Sequence, residues 1–256
     1  MIKIFNSLSK KKEEFQPLDE KNVRLYVCGP TIYNRPHIGN ARSVVIYDLW
    51  FRLFKQVFPK VTYVRNITDI DDKINAAAIA RKITIQELTQ EVLSFFYEDI
   101  DVLNVLKPTF EPKATENIDQ IIEMIEKLIK NGHAYESAGH VLFDIKSYEK
   151  YGELSNRLPE DMLSGARVEI ADYKKDPLDF VLWKPASQKD DPSSIFDSPW
   201  SKGRPGWHIE CSAMSCKYLG ENFDIHGGGA DLQFPHHENE IAQSKCANIG
   251  SNFAKY

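Results

Sequence analysis

The stretch Val23-Arg-Leu-Tyr-Val-Cys28-Gly-Pro30, followed closely by Pro36-His37-Ile38-Gly39-Asn40-Ala41-Arg42, decides the fold of this chain. Its first part is a short apolar run ending at a Gly-Pro turn, which reads as a buried strand. Its second part opens a segment from Ile38 to about Lys55 in which Val45, Leu49, Phe51 and Leu53 follow helical spacing. A second strand is expected at Val61-Thr-Tyr-Val-Arg-Asn-Ile67, running into the acidic Asp69-Ile-Asp71-Asp72. Helices are expected from Ile74 to Arg81, from Thr84 to Leu103 and from Ala114 to Lys130. Strand–helix–strand alternation of this kind implies an α/β chain built on a Rossmann-like parallel sheet.

Further along, His140-Val-Leu-Phe-Asp-Ile145 suggests a strand, paired with a short one near His133-Ala-Tyr. Pro159 to Gly165 and Pro185 to Gly206 are rich in loop-forming residues. Asn222-Phe-Asp-Ile-His226 reads as a strand returning to the sheet, and Pro235 to Ala247 as a helix with Pro235 in its first turn. The expected organisation is a core in two halves, residues 1–110 and 205–256, interrupted by a connective insertion at 111–204.

With 256 residues the chain can bury a sizeable core. A net charge of −5 argues against a protein that coats nucleic acid through bulk positive charge, though not against a local basic face. Nothing resembles a signal peptide, and no apolar run approaches the roughly 18 residues that span a bilayer. The run Lys10-Lys11-Lys12 reads as a solvated face or loop. The four cysteines, Cys28, Cys211, Cys216 and Cys246, suit metal binding or burial better than disulfides. A cytoplasmic, monomeric protein is the expectation.

Chemistry concentrates in two places. His37, Gly39 and Asn40 fall at a helix start, where unpaired backbone N–H groups and the helix dipole suit a nucleotide phosphate; an ordinary helix start is the plainer reading. Near the other end, Gly227, Gly228 and Gly229 allow close approach of backbone to a ligand. They precede Asp231 and Pro235-His236-His237-Glu238-Asn-Glu240. On a helix Glu240 shares a face with His236 at i, i+4 and with His237 at i, i+3, so spacing alone leaves the imidazole open. With Cys28 and Cys211, either histidine makes a donor set that favours zinc. The alternative is a His-rich helix start with satisfied polar groups. Cys216 and Cys246 read as buried thiols. Thr68 lies where ligands bind in open α/β sheets, or else caps the next helix. Trp207 is a pocket wall or a core residue. Asp69, Asp71 and Asp72 hint at magnesium but are more simply a charged first turn.

Together these segments resemble the cysteinyl-tRNA synthetases, a family of class I aminoacyl-tRNA synthetases. The resemblance runs through Tyr26-Val-Cys28-Gly-Pro30-Thr31, Pro36-His-Ile-Gly39-Asn40 and Tyr63-Val-Arg-Asn-Ile-Thr68-Asp-Ile-Asp-Asp-Lys73. It continues through Gly203-Arg-Pro-Gly-Trp207-His-Ile-Glu-Cys211 and His226-Gly-Gly-Gly-Ala-Asp231 to Glu240, in the family's order. It implies one zinc ion held by Cys28, Cys211, His236 and Glu240. It implies ATP contacts at His37, Gly39, Asn40, Gly227, Gly228, Gly229 and Asp231, with magnesium arriving on the ATP. Cys28, Thr68 and Trp207 would line the cysteine pocket. The class I signature usually ends in histidine where this chain has Asn40, which implies modified phosphate contacts, since an amide can still donate. His37 and Asn40 would serve the chemistry by stabilising charge on the phosphates.

The implied reaction is ATP-dependent activation of L-cysteine to cysteinyl-adenylate, then transfer to tRNA(Cys), with zinc selecting the thiol. Pocket shape alone separates near-isosteres by only about 1–3 kcal/mol. A metal–sulfur bond should exceed that and remove the need for editing. The family's second signature loop, Lys-Met-Ser-Lys-Ser, and its helical anticodon-binding region do not lie within these residues. The expectation is a partial or truncated chain that activates cysteine poorly. Two rivals are a ligase joining cysteine to an amino-sugar by the same chemistry, and a zinc-stabilised nucleic-acid-binding module. The acidic charge and the glycine run count against the latter.

Overall fold

A three-stranded parallel sheet positions everything that follows. In this computed structural model residues 1–157, 171–188 and 190–256 are described; the loop expected at Pro159 to Gly165 lies outside them. The chain opens with an antiparallel hairpin of β1 (Lys3–Asn6) and β2 (Lys11–Glu14). The lysine run spans the hairpin turn at Lys10 and the start of β2, with all three side chains exposed as a solvated face. Next come β3 (Val23–Val27), α1 (Ile38–Val57), β4 (Val61–Arg65), α2 (Asp72–Arg81) and α3 (Ile85–Val102).

β3 pairs in parallel with β4, Leu25 opposite Tyr63, as expected from strand–helix–strand alternation. Parallel bridges from Val64 to Phe110 and from Ile67 to Lys113 extend the sheet beyond β4. α1 keeps its expected limits but buries a different stripe. Val44, Asp48, Phe51 and Phe54 face the core, while Leu49 and Leu53 are 60% and 47% exposed. Counting apolar residues misplaced the face because Asp48 belongs to it. Its carboxylate takes the Arg52 guanidinium at 2.8 Å and the Leu106 N–H at 3.0 Å, so a buried charge stands where an apolar residue was sought.

A short 3-10 turn, Ala114–Asn117, leads into α4 (Ile118–Lys130). The strands β5 (Ala134–Ser137), β6 (His140–Phe143), β7 (Phe180–Pro185) and β8 (Gly203–Pro205) form an antiparallel sheet in that order. The hairpin of β5 and β6 matches expectation. β7 and β8 do not: the loop expected from Pro185 to Gly206 ends in a strand, because three residues of Gly, Arg and Pro carry no strand pattern of their own. They are held by pairing to Trp183, Lys184 and Pro185.

Then follow α5 (Trp207–Leu219), β9 (Asn222–Phe223), β10 (Ile225–Gly227), α6 (Glu238–Ala247) and β11 (Phe253–Ala254). β10 returns to the sheet beside β3, giving the order β10-β3-β4. The expected single strand from Asn222 to His226 is split at Asp224, a fully buried carboxylate that accepts N–H groups from Leu18 and Arg24. β9 pairs instead with β11. The last helix also starts later than expected. Phe234 is extended, as residues before proline tend to be, Gln233–His237 form a single wide turn, and regular helix begins at Glu238.

One apolar cluster joins α4 (Ile121, Ile125, Leu128) to Phe143, Trp183, Ile209 and Ala242, tying the antiparallel sheet to α5 and α6. No helix among the described residues is long and apolar enough to cross a membrane.

Candidate active site

In an open parallel sheet, ligands bind beyond the carboxyl ends of the strands, where neighbouring strands connect in opposite directions. Here that point lies between β3 and β10. Cys28 follows β3, Thr68 lies just past β4, and Gly227 ends β10. α5 and α6 close the crevice with Cys211 and Glu240.

The sulfurs of Cys28 and Cys211, an imidazole nitrogen of His236 and a carboxylate oxygen of Glu240 all lie within 4.8 Å of one another, and all four residues are buried. Glu240 Oε2 is 3.4 Å from Cys28 Sγ and 3.4 Å from His236 Nε2. A tetrahedral zinc ion sets its donor atoms roughly 3.3–3.8 Å apart; the two 3.4 Å separations fall in that range, and the donor set suits zinc in its chemistry. Burial pushes the His236 imidazole well below its ordinary range, with His208 and His226 adding to the effect. It stays neutral, with a lone pair to offer. Burial pushes the Cys28 thiol up, and Cys211 and Glu240 push it further. A cation at this place would relieve that crowding of potential anions.

His37 caps α1. Its Nδ1 accepts the Gly39 N–H at 3.0 Å, while Asn40 Oδ1 accepts the His37 N–H at 3.0 Å. The plain reading of an ordinary helix start is therefore realised, and the cap fixes how both side chains are oriented. With Nδ1 accepting, a neutral ring carries its proton on Nε2. With Oδ1 accepting, the Asn40 amide keeps its N–H donors free. A Cβ at Gly39 would meet the His37 ring at 2.8 Å, so the ring can stay in its capping position only where residue 39 has no side chain or the ring shifts.

A cavity of about 480 Å³ is lined by Cys28, His37, Gly39, Asn40, Thr68, Trp207, Cys211, Gly229, Asp231 and His236. Gly227, Gly228 and Glu240 lie outside its lining. Gly227 and Gly228 instead border a neighbouring cavity of about 310 Å³, together with Tyr47 and His237. A Cβ on Gly227 would strike the Tyr47 ring at 2.4 Å, and one on Gly228 would strike His237 Nε2 at 2.5 Å. They make room for the protein's own side chains, and Tyr47 in turn takes the Gly228 N–H at 2.7 Å.

Thr68 does not cap the following helix; Asp71 does, accepting from the Lys73 N–H. Thr68 Oγ1 instead donates to Glu210 Oε2 at 3.3 Å. Trp207, half-buried, stacks on His236 with ring centres 4.2 Å apart. Asp69 binds Thr115, and Asp72 pairs with Lys184 and Arg204, so these acids serve the framework. Cys246 is buried and Cys216 partly buried in the apolar cluster under α5 and α6.

Three groups, Asn66 and Glu210 buried and His226 partly buried, escaped the sequence reading. Asn66 accepts from the Gly29 N–H and from the Cys211 thiol, and donates to Thr68. Glu210 backs Thr68. His226 Nε2 lies 3.0 Å from Glu240 Oε1. The motif containing His226 was visible, but its contact with Glu240 depends on how β10 meets α6.

Comparison with known structures places this fold among class I synthetase catalytic domains. Mycobacterium tuberculosis methionyl-tRNA synthetase in complex with methionyl-adenylate superposes with a TM-score of 0.66 at 12% identity, over 91% of this chain and 56% of that one. A second structure of that enzyme, bound by methionyl-adenylate, gives 0.65 at 14% identity, with the same coverage. Residues 14–256 match the family described as tRNA synthetases class I (C) catalytic domain. A cysteine--tRNA ligase of Wolbachia sp. subsp. Drosophila simulans (strain wRi) is 59% identical over 257 residues, covering 100% of this chain and 56% of the relative. That of Rhodospirillum rubrum is 59% identical over 255 residues, covering 100% and 55%. The chain belongs to the cysteinyl-tRNA synthetase family, and it spans little more than half the length of these relatives.

Proposed function

We propose that this chain forms the cysteine-activating core of a cysteine–tRNA ligase, with L-cysteine, ATP carrying magnesium, and tRNA(Cys) as substrates. The observation that carries the reading is the single cavity in which the α1 N-terminus, Thr68, Trp207 and the donors Cys28, Cys211 and His236 face one another. The cysteine carboxylate attacks the α-phosphate of ATP, forming cysteinyl-adenylate and releasing pyrophosphate. A terminal ribose hydroxyl of tRNA then takes the cysteinyl group and AMP leaves.

No protein nucleophile is needed; positioning and electrostatics carry the chemistry. His37 Nε2–H, the Asn40 amide and the α1 dipole stabilise phosphate charge. Asp231, exposed at the cavity rim, is the acceptor for adenosine hydroxyls or the substrate ammonium. Thr68, held by Asn66 and Glu210, and Trp207, held against His236, shape the thiol pocket and exclude water. Cys28, Cys211, His236 and Glu240 would hold zinc, which when bound accepts a substrate thiolate far better than an alcohol of similar shape.

The test is cysteine-dependent pyrophosphate exchange, run on this chain and on one extended to the length of its relatives. Exchange by the extended chain with cysteine but not serine is expected. Failure of cysteine to support exchange, or equal exchange with serine, would sink the reading.

A further inference from the structure

The Glu240 carboxylate is held from two sides. Oε1 lies 3.0 Å from His226 Nε2, while Oε2 lies 3.4 Å from His236 Nε2 and 3.4 Å from Cys28 Sγ. A carboxylate can only accept, so the proton of the first contact sits on His226 Nε2. His226 cannot easily turn away. Its ring stacks on Tyr26 with centres 5.8 Å apart, packs against Phe253 and His237, and its backbone N–H is bound to the Tyr256 carbonyl at 2.9 Å. Neither the zinc-donor motif nor the class I signature gives this histidine a task.

We infer that His226 is a positioning residue for Glu240: it holds Oε1 so that Oε2 is the oxygen turned toward His236 and the nearer of the two to Cys28 Sγ, 3.4 Å against 3.7 Å. The inference rests on the reading of those four residues as a zinc site. A buried carboxylate without any partner is costly, and Glu240, fully buried, keeps a hydrogen bond from His226 whether or not Oε2 is engaged. Partners that orient metal ligands through hydrogen bonds commonly contribute about 10–100-fold to metal affinity.

Zinc affinity of the protein, measured by competition with a chromophoric chelator in the absence of ATP and cysteine, tests this directly. His226→Phe keeps a ring against Tyr26 and removes the donor; it should weaken zinc binding about 10–100-fold. His226→Gln, which keeps an N–H, should recover most of that loss. In a Glu240→Ala background the same His226→Phe change should alter affinity by less than about threefold, because the carboxylate through which the histidine acts is gone and the two changes are then strongly non-additive. A purely structural histidine would impose the same penalty in both backgrounds. That result, or unchanged affinity in His226→Phe, overturns the inference. Should the phenylalanine variant not fold, His226→Leu enters the same comparison with the same readings. Failure here leaves the adenylate chemistry standing, whereas an extended chain that binds zinc normally but shows no cysteine-dependent exchange fails the function and leaves the clasp intact.

Discussion

Single residues decide the chemistry of this site through the partners the fold assigns them. Cys211, on the first turns of α5, is buried and faces both Asn66 and the other donors. Replacing it with serine leaves an alcohol too weakly acidic to serve as a ligand, so Cys211→Ser should lose zinc and cysteine binding while retaining ATP binding. Metal analysis with calorimetric titration of each substrate checks this; full zinc content with intact cysteine-over-serine preference would refute it. His37 acts on phosphate rather than thiol. His37→Ala should lower the exchange rate by one to several orders of magnitude, on the order of a lost charge-stabilising donor, and leave zinc content unchanged. Comparing metal content and exchange in one preparation separates the two roles.

At the scale of elements, the helices show how much local pattern suffices. α3 begins at Thr84, whose hydroxyl accepts the Glu87 N–H at 3.1 Å while the Glu87 carboxylate takes the Thr84 N–H at 2.8 Å. That reciprocal cap is written in Thr-Ile-Gln-Glu, and the expected start was correct. Thr84→Ala should cost about 1 kcal/mol in urea denaturation. α4 buries Ile118, Ile121, Met124, Ile125 and Leu128 along one face. Because Ile125 is fully buried in the cluster shared with α5 and α6, Ile125→Ala should cost about 2–5 kcal/mol. A loss below 1 kcal/mol would mean that α4 is not integral to that core. Elements without a period of their own were not legible: β8 exists only through its pairing with β7, and α6 is displaced by the turn around Pro235.

Across the whole molecule, burial of neutral histidines beside the site makes stability depend on pH. Burial pushes His208 down to about 4 and His237 to about 3, and lowers His236 as well. An unfolded chain takes up these protons near pH 6.5, whereas the native chain refuses them until far lower. The unfolded state therefore binds more protons between roughly pH 6.5 and 4, and stability must fall as pH falls through that window. For the zinc-free protein the urea midpoint should drop between pH 7.5 and pH 5, and by less in His208→Gln. An equal midpoint at both pH values would contradict the assignment.

By itself the sequence determined the parallel α/β core, its first two strands and four helices, and the identity of the residues that meet at the strand ends. Strand and helix periods are local, and the signature segments carry their residue types wherever the chain takes them. Only the tertiary structure decided which surfaces face inward, as Asp48 on α1 demonstrates, and what the glycines accommodate. It also decided that His226 on β10 reaches Glu240 on α6. Such contacts join residues distant in sequence, and they are set by how the sheet edge, the crossing helices and the buried charges fit together.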